Sequence, residues 1–197
     1  MRDFFGYYKW HLMFAALFLI CIAYLVFSVT VDNSPDLVFG YVGTQYVNKQ
    51  TFDDFKPYTI ELLLADANND GKKTAVLVPI HGDIQSDIDE AFEAMVEEEQ
   101  YNILITTKKT FKNLKDKSRF VPADTYYTKG NKDLETLKTS KGVEYAVSLK
   151  NNKFAENMGF LDPSDLFIAV RSPEKGKDPT TAQKNGRNVT SEILNDD

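Results

Sequence analysis

The chain has 197 residues, of which 26% are charged and 43% are hydrophobic, and this composition excludes a disordered protein. Its net charge is −6, and an acidic sequence without a basic stripe is a poor candidate for nucleic-acid binding. The single cysteine, Cys21, excludes an intramolecular disulfide.

The first predicted element is a transmembrane helix. Residues 10–31 contain no Asp, Glu, Lys or Arg, and about 20 residues of helix span the hydrocarbon core of a bilayer. This apolar run is longer than that of a cleaved signal peptide, and its best cleavage pattern, Ser28-Val29-Thr30, is weak. We therefore expect an uncleaved helix at residues 11–31, in contact with membrane lipid.

The charges on either side of this helix predict its orientation. Arg2 and Lys9 precede it, whereas the next basic residue after it is Lys49. By the positive-inside rule, residues 1–10 are expected in the cytosol and the C-terminal domain outside the cell. The cell membrane of a bacterium, with a single-pass anchor, is therefore the expected location. An exported domain without cysteine suits such a surface.

An α/β domain is predicted to follow a short linker at residues 32–35 and to occupy residues 36–197. Apolar runs bounded by turn residues predict strands, at residues 36–42, 74–80, 101–107, 143–150 and 165–172. Amphipathic patterns predict helices, at residues 51–65, 83–100, 108–120 and towards the end of 176–194. Residues 124–142 are polar and are predicted as a loop or hairpin. Strands that alternate with helices favour a layered domain with a mostly parallel sheet.

The helix predicted at residues 83–100 has the clearest pattern. Asp83 is its expected N-cap, and the acidic residues of its outer face are expected to be solvated. Residues three and four apart predict its inward face, which comprises Ile84, Ile88, Ala91, Phe92, Met95 and Val96.

The helix predicted at residues 51–65 has a less regular beginning. Thr51 and Asp54 resemble a capping box. Pro57 is unfavourable deep inside a helix, so the helix is expected to begin close to Phe55 or to kink there. In the basic helix that follows the third strand, Phe111 and Leu114 are expected to face inward.

The stretch Asp66-Ala67-Asn68-Asn69-Asp70-Gly71 resembles the start of a calcium loop. Asp66, Asn68, Asp70 and Gly71 match the first, third, fifth and sixth positions of such a loop. The twelfth position, which normally supplies a bidentate acid, is Leu77. We therefore interpret the stretch as a tight turn before a strand, because Asn, Asp and Gly favour turns. No metal site is predicted.

His81 is the most interesting residue for chemistry. It is the one histidine of the predicted exported domain and lies at the end of the second strand, two residues before Asp83. Open α/β sheets bind ligands at the carboxyl ends of their strands. However, no nucleophile is identifiable as its partner, and phosphate-loop and dinucleotide glycine patterns are missing from the sequence. No catalytic residue and no cofactor are predicted.

The passage Asn102 to Asp124, "NILITTKKTFKNLKDKSRFVPAD", resembles extracellular solute-binding proteins of bacterial ABC importers. "VEYAVSLK" is similar to the strand that leads such proteins towards their second lobe, and "DLFIAVRS" with the last helix resembles the return into the first. The resemblance covers most of residues 36–194 and implies the type II periplasmic-binding fold. Residues 150–165 leave no room for a second lobe, so a single lobe is expected, without clamshell closure around a solute.

These patterns predict a membrane-anchored extracytoplasmic binding or interaction module of a bacterial cell surface. It is expected to be non-enzymatic, to associate with a transporter, and to have another membrane protein or cell-surface component as its partner rather than nucleic acid. The alternative is an enzyme or a calcium-dependent module that uses His81, Asp83 and the Asp66–Asp70 loop.

Overall fold

Six strands form one mixed sheet in a computed structural model that describes residues 13–22, 34–128 and 134–195. The strands are β1 (Leu37–Gly43), β2 (Ala75–His81), β3 (Ile103–Thr107), β4 (Thr136–Lys138), β5 (Glu144–Ser148) and β6 (Leu166–Val170). The helices are α1 (Lys49–Glu61), α2 (Gln85–Glu97), α3 (Lys108–Asn113), α4 (Lys153–Asn157) and α5 (Thr181–Asn195). The five predicted strands are confirmed, and the predicted loop or hairpin contains β4.

The order of the strands in the sheet is β2-β1-β3-β6-β5-β4. β1 pairs in parallel with β2 and with β3, whereas the β3–β6, β6–β5 and β5–β4 pairs are antiparallel. The α/β domain is therefore confirmed, but the prediction of a mostly parallel sheet is wrong. One physical reason is that residues 139–143 alone separate β4 from β5, and so short a connection cannot make the crossover that parallel strands need.

The core lies on both faces of the sheet. Every residue of β1 is buried, and alternate residues of a strand point to opposite faces. On one face, Phe39 belongs to a cluster that includes Phe52 of α1 and Ile193 of α5. On the other face, Val42 belongs to a cluster that includes Phe92 of α2. α1 and α2 therefore cover opposite faces, which is the doubly wound arrangement of α/β proteins.

α1 begins earlier than the sequence pattern predicts. The side chain of Asn48 accepts a hydrogen bond from the Gln50 N–H at 3.0 Å and so caps the helix. The predicted capping box of Thr51 and Asp54 is wrong, because Asn48 already supplies the side-chain acceptor that a helix start needs. Pro57 lies inside the helix and is exposed, as is Asp53, so water can reach the carbonyl that proline leaves without a donor.

α2 confirms most of its predicted inward face. The buried side chains are Ile88, Phe92, Met95 and Val96. Ala91 is half-buried, whereas Ile84 is 60% exposed and does not belong to the face. Ile84 also occupies the N-cap position, without a side-chain hydrogen bond. The prediction of Asp83 as N-cap is therefore wrong, because its carboxylate turns to His81 instead.

The acidic face of α2 contacts the basic segment 108–120. Lys115 Nζ lies 3.0 Å from Glu93 Oε2, and Arg119 Nη2 lies 2.8 Å from Glu97 Oε2. The helix predicted over this segment is shorter than expected, since α3 ends at Asn113, but Phe111 and Leu114 are buried as predicted. The acidic face is thus not purely solvated, although exposed ion pairs of this kind contribute little to stability.

Arg171, directly after β6, completes the carboxyl end of α2. Arg171 is 4% exposed. Its guanidinium Nη1 donates to the carbonyls of Val96 at 2.5 Å and Glu98 at 2.6 Å. The last carbonyls of a helix have no partner within the helix, and a cation there also suits the helix dipole. Burial lowers the pKa of the Arg171 guanidinium from its ordinary value.

The predicted membrane anchor is described only in part. Residues 13–22 are helical and exposed, and they group separately from the α/β domain. The rest of the predicted span, the cytosolic residues 1–10 and most of the linker at 32–35 lie outside the described residues. Among the residues that are described, no helix combines the length and the apolarity that a membrane crossing requires.

Candidate functional site

The carboxyl ends of the parallel strands lie at one edge of the sheet. β1 ends at Gly43 and β2 at His81, and these two residues are register partners. β3 runs parallel on the other side of β1. Because α1 and α2 cover opposite faces, successive strands are added on opposite sides of β1, and ligands of open α/β sheets bind at such a switch point. The structure thus places His81 where the sequence predicted, at the favoured edge.

The ring of His81 is held between two side chains. Its Nε2 lies 3.1 Å from Asp83 Oδ1, so the predicted His81–Asp83 pair is brought together. Tyr46, from the loop after β1, stacks on the ring with a centroid distance of 3.9 Å and an interplanar angle of 24°. Among the described residues the buried Nδ1 has no hydrogen-bond partner. Tyr46 was not predicted, since it precedes His81 by 35 residues and no motif joins them.

The loop that carries Tyr46 is fixed by the strand before it. The hydroxyl of Tyr41 accepts a hydrogen bond from the Gln45 N–H at 3.1 Å. Gly43 leaves room for that hydroxyl, because a Cβ at this position would lie 2.4 Å from the Tyr41 oxygen. Burial raises the pKa of Tyr41 to about 12, although the hydrogen bond from Gln45 acts in the opposite direction.

A second loop is tied to the first. The side chain of Gln45 donates to the carbonyl of Asp162 at 2.6 Å and accepts from the Asp162 N–H at 3.1 Å. Behind these bonds, the rings of Tyr41 and Phe160 pack at 4.8 Å. The loop at residues 161–165 is therefore held beside the loop at residues 44–48.

Three large hydrophobic side chains are exposed to solvent, two in these loops and one in the segment after β2. Tyr46 is 73% exposed, Ile84 is 60% exposed and Leu161 is 87% exposed. Tyr46 contacts His81, Ile84 follows Asp83, and Leu161 precedes the residue that binds Gln45. We call these residues the carboxyl-end surface, which comprises Tyr46, His81, Asp83, Ile84 and Leu161.

The hydrogen bonding of the His81 ring describes which groups meet at this surface. The one side-chain hydrogen bond of His81 goes to Asp83, and within the described residues no serine, threonine or cysteine side chain bonds to the ring. No group of three or more His, Cys, Asp or Glu is arranged to hold a metal ion in the described part of the chain.

The stretch that resembles a calcium loop forms turns. The Asp66 carboxylate accepts from the Gly71 N–H at 2.7 Å, and the Asn68 side chain accepts from the Asp70 N–H at 2.9 Å. Asn69 and Gly71 have φ of 59° and 86°, a conformation that Asn and Gly favour in turns. The predicted turn is confirmed.

The turn and the histidine lie at opposite ends of β2. Asp66 precedes the first residue of that strand, Ala75, whereas His81 is its last residue. A strand of this length spans about 20 Å. The structure therefore does not bring together the residues of the predicted alternative site, which would combine His81 and Asp83 with the Asp66–Asp70 loop.

Asp36 organises the region before β2, a role that the sequence reasoning missed. Its carboxylate is fully buried, accepts from the Thr74 N–H at 2.6 Å, and accepts from the Ala67 N–H. Backbone N–H groups that donate to a buried carboxylate offset the loss of its hydration. Its place at the start of an apolar strand was the available signal, because acids are rarely buried unless they are bound.

Comparisons with known proteins identify no relative. No protein-family model, no curated protein and no solved structure matches this chain. The resemblance to solute-binding proteins of ABC importers therefore stays a prediction.

Proposed function

We propose that this protein is a membrane-anchored, extracytoplasmic and non-enzymatic interaction module of a bacterial cell surface, and that a protein partner docks on the carboxyl-end surface. The observation that carries the proposal is the exposure of Tyr46 and Leu161 on loops that are fixed by hydrogen bonds, and of Ile84 in the segment after β2. Exposed apolar side chains gathered at one place mark interaction sites more often than isolated ones do.

The composition of the surface favours a protein as the partner. Interface cores are enriched in aromatic residues and depleted in charge, and tyrosine is a frequent hot-spot residue. The acid of this surface, Asp83, is paired with His81 at 3.1 Å. Tyr46 is backed by the His81 ring and by a loop anchored through Tyr41, so little side-chain freedom has to be lost on binding.

The sequence supports the other parts of the proposal, which are the membrane anchor, its orientation and an association with a transporter. The charge-free run before the domain supports the anchor, and the order of elements resembling a solute-binding lobe supports a transporter or another cell-surface component as the partner. The non-enzymatic assignment is supported by the hydrogen bonding of His81, whose partner is a carboxylate and not a nucleophile.

Photocross-linking in the native membrane tests the docking surface. A benzophenone amino acid is placed at Leu161 in the full-length chain, and the same substitution at the exposed Lys184 of α5 serves as the control. We expect one protein adduct from position 161 and not from position 184. Tyr46→Ala, added to the position-161 variant, should reduce the adduct by about tenfold, since hot-spot truncations cost more than 1 kcal/mol.

Equal adducts from both positions, or an adduct at position 161 that does not change with Tyr46→Ala, would contradict the proposed surface. Substrate turnover that is abolished by His81→Gln would instead favour an enzyme.

A further inference from the structure

A second site lies on the opposite part of the sheet, between the segment that follows α3 and the β4–β5 hairpin. The two walls enclose a groove of about 660 Å³, which is within the range of small-molecule sites. Among the described residues its lining includes five lysines, Lys112, Lys115, Lys117, Lys138 and Lys141. We call this site the lysine groove.

Folding concentrates these positive charges in a chain whose net charge is −6. The lysines of one wall fall within residues 112–117, and those of the other belong to β4 and to the hairpin turn. The basic segment 108–120 is visible in the sequence, whereas its approach to the lysines of the hairpin is not. A cleft lined by one sign of charge focuses the electric field and attracts ligands of the opposite sign.

The lysines differ in how far they are already neutralised. Lys115 lies 3.0 Å from Glu93, and Lys138 lies 3.2 Å from Glu144. Lys117 donates to the backbone carbonyl of Leu114 at 2.7 Å, an interaction that positions its charge without cancelling it. Such exposed pairs are weak enough to exchange for a better ligand.

Besides Lys117, two further lysines have no acidic partner in the described residues. Lys112 and Lys141 are both exposed, and they stand on opposite walls of the groove. The acid of the lining, Asp116, is occupied by the N–H and the hydroxyl of Ser118, at 2.9 Å and 2.6 Å. These hydrogen bonds lower the pKa of Asp116. The groove therefore presents ammonium groups whose charge is not neutralised by a carboxylate of the described residues.

The floor of the groove gives no face to an aromatic base. Phe120 and Tyr145 stack on each other at 5.8 Å with an interplanar angle of 16°, and they are only 5% and 1% exposed. Proteins that bind single-stranded nucleic acid present aromatic faces on which bases stack. The groove is suited to recognise charge alone.

We propose that the lysine groove binds a phosphate-bearing polyanion that carries no bases. An ammonium group presents three donors as a compact charge and binds phosphate without requiring the planar geometry that arginine imposes. The hydroxyl-bearing residues Thr139 and Ser140 of the hairpin turn also line the groove and supply further donors. Lysines on both walls allow one chain of phosphates to be held from two sides.

Calorimetric titration of the full-length chain with short-chain inorganic polyphosphate tests this proposal, with the protein kept in a zwitterionic detergent. We expect saturable binding whose affinity falls as salt concentration rises. The double variant Lys112→Ala/Lys141→Ala should raise the Kd by about tenfold or more, because it removes two charge-assisted contacts. Its salt dependence should also be less steep.

The matched control is Lys150→Ala/Lys184→Ala, which removes the same charge from exposed positions outside the groove. It should change the Kd by less than about twofold. Equal weakening by both double variants, or no binding of polyphosphate by the wild type, would overturn the proposal. Single-stranded DNA that binds as tightly at equal charge would contradict recognition of a base-free polyanion, and binding to phosphatidylglycerol vesicles alone would assign the groove to lipid.

Discussion

Buried polar side chains determine how the loops of this protein meet its core. Asn185 of α5 is fully buried, and its amide accepts from the Leu64 N–H at 2.9 Å and donates to the Ala65 carbonyl at 2.8 Å. Arg171 performs the corresponding task at the end of α2. In each case one side chain satisfies backbone groups that no strand or helix pairs, and leaving such groups unpaired is costly.

Arg171→Met should lower the free energy of unfolding by about 2–4 kcal/mol, because the carbonyls at the end of α2 would remain buried without a donor. Urea unfolding of the full-length chain, followed by circular dichroism, measures the change. Arg119→Met is the matched control, since that arginine is 39% exposed and pairs with Glu97 on the surface; it should cost less than about 1 kcal/mol. Equal losses in the two variants would contradict the capping role.

The raised pKa of Tyr41 predicts that the protein loses stability at alkaline pH. Burial raises its pKa from 10.0 to about 12, so the unfolded chain releases the phenol proton first. The stabilising contribution of the buried phenol is therefore complete below pH 10 and declines as the pH rises towards 12. Tyr41→Phe should unfold with a smaller change between about pH 9 and about pH 11. An unchanged pH dependence of its urea midpoint would show that Tyr41 does not contribute.

At the scale of the elements, β2 is an edge strand of the sheet. The backbone carbonyl of Thr74 accepts from the Leu37 N–H, and the Gly82 N–H donates to the Gly43 carbonyl. The even-numbered residues of this segment therefore direct their backbone N–H and carbonyl groups towards β1. Residue 79 therefore directs its backbone nitrogen to the free edge. That residue is proline, which has no N–H, and edge strands commonly use proline to prevent pairing with another chain.

Pro79→Val should promote self-association, because it restores a donor in the middle of the exposed edge. Light scattering after gel filtration of the full-length chain is expected to show a several-fold larger oligomeric fraction at the same concentration. Pro57→Val is the matched control, since it makes the same change at an exposed position of α1. Association that rises equally in both variants, or in neither, would contradict the protective role of Pro79.

The elements themselves could largely be predicted from the sequence. Each apolar run between turn residues became a strand, because local hydrophobicity and turn chemistry agree there. The helix starts were less predictable, since Asn48 and Thr51 are both capable caps and only the packing of α1 selects one. Strand direction was least predictable, as the antiparallel entry of β6 beside β3 depends on contacts between residues far apart in the chain.

The residues of the candidate sites were likewise predictable where they are close in the sequence, and not where only folding brings them together. His81 and Asp83 were predictable because they are two residues apart and follow a strand. Tyr46 and Leu161 join them only through the folded loops. The lysine groove combines two stretches of chain, so its full charge is visible only when the two walls are assembled.

For the whole molecule, the predicted topology can be tested with the single cysteine of the chain. In a Cys21→Ser background, Lys184→Cys should react in intact cells with a maleimide that cannot cross the membrane, because the domain is expected outside. Lys9→Cys is the control and should react only after lysis. The opposite labelling pattern would contradict the predicted orientation, and labelling of both positions only after lysis would place the domain inside the cell.

The bonds of Asn185 also bear on how the molecule acquires its structure. This residue reaches the carbonyl of Asp36 at 3.5 Å and the amide of Leu64 at 2.9 Å, across 149 and 121 positions of sequence. The ribosome synthesises β1 long before α5, the helix whose Asn185 bonds to the residue that precedes β1. Until then one face of β1 is covered only in part, by α1, and contacts between distant segments form slowly. The nascent chain should therefore depend on a holding chaperone until α5 has been synthesised.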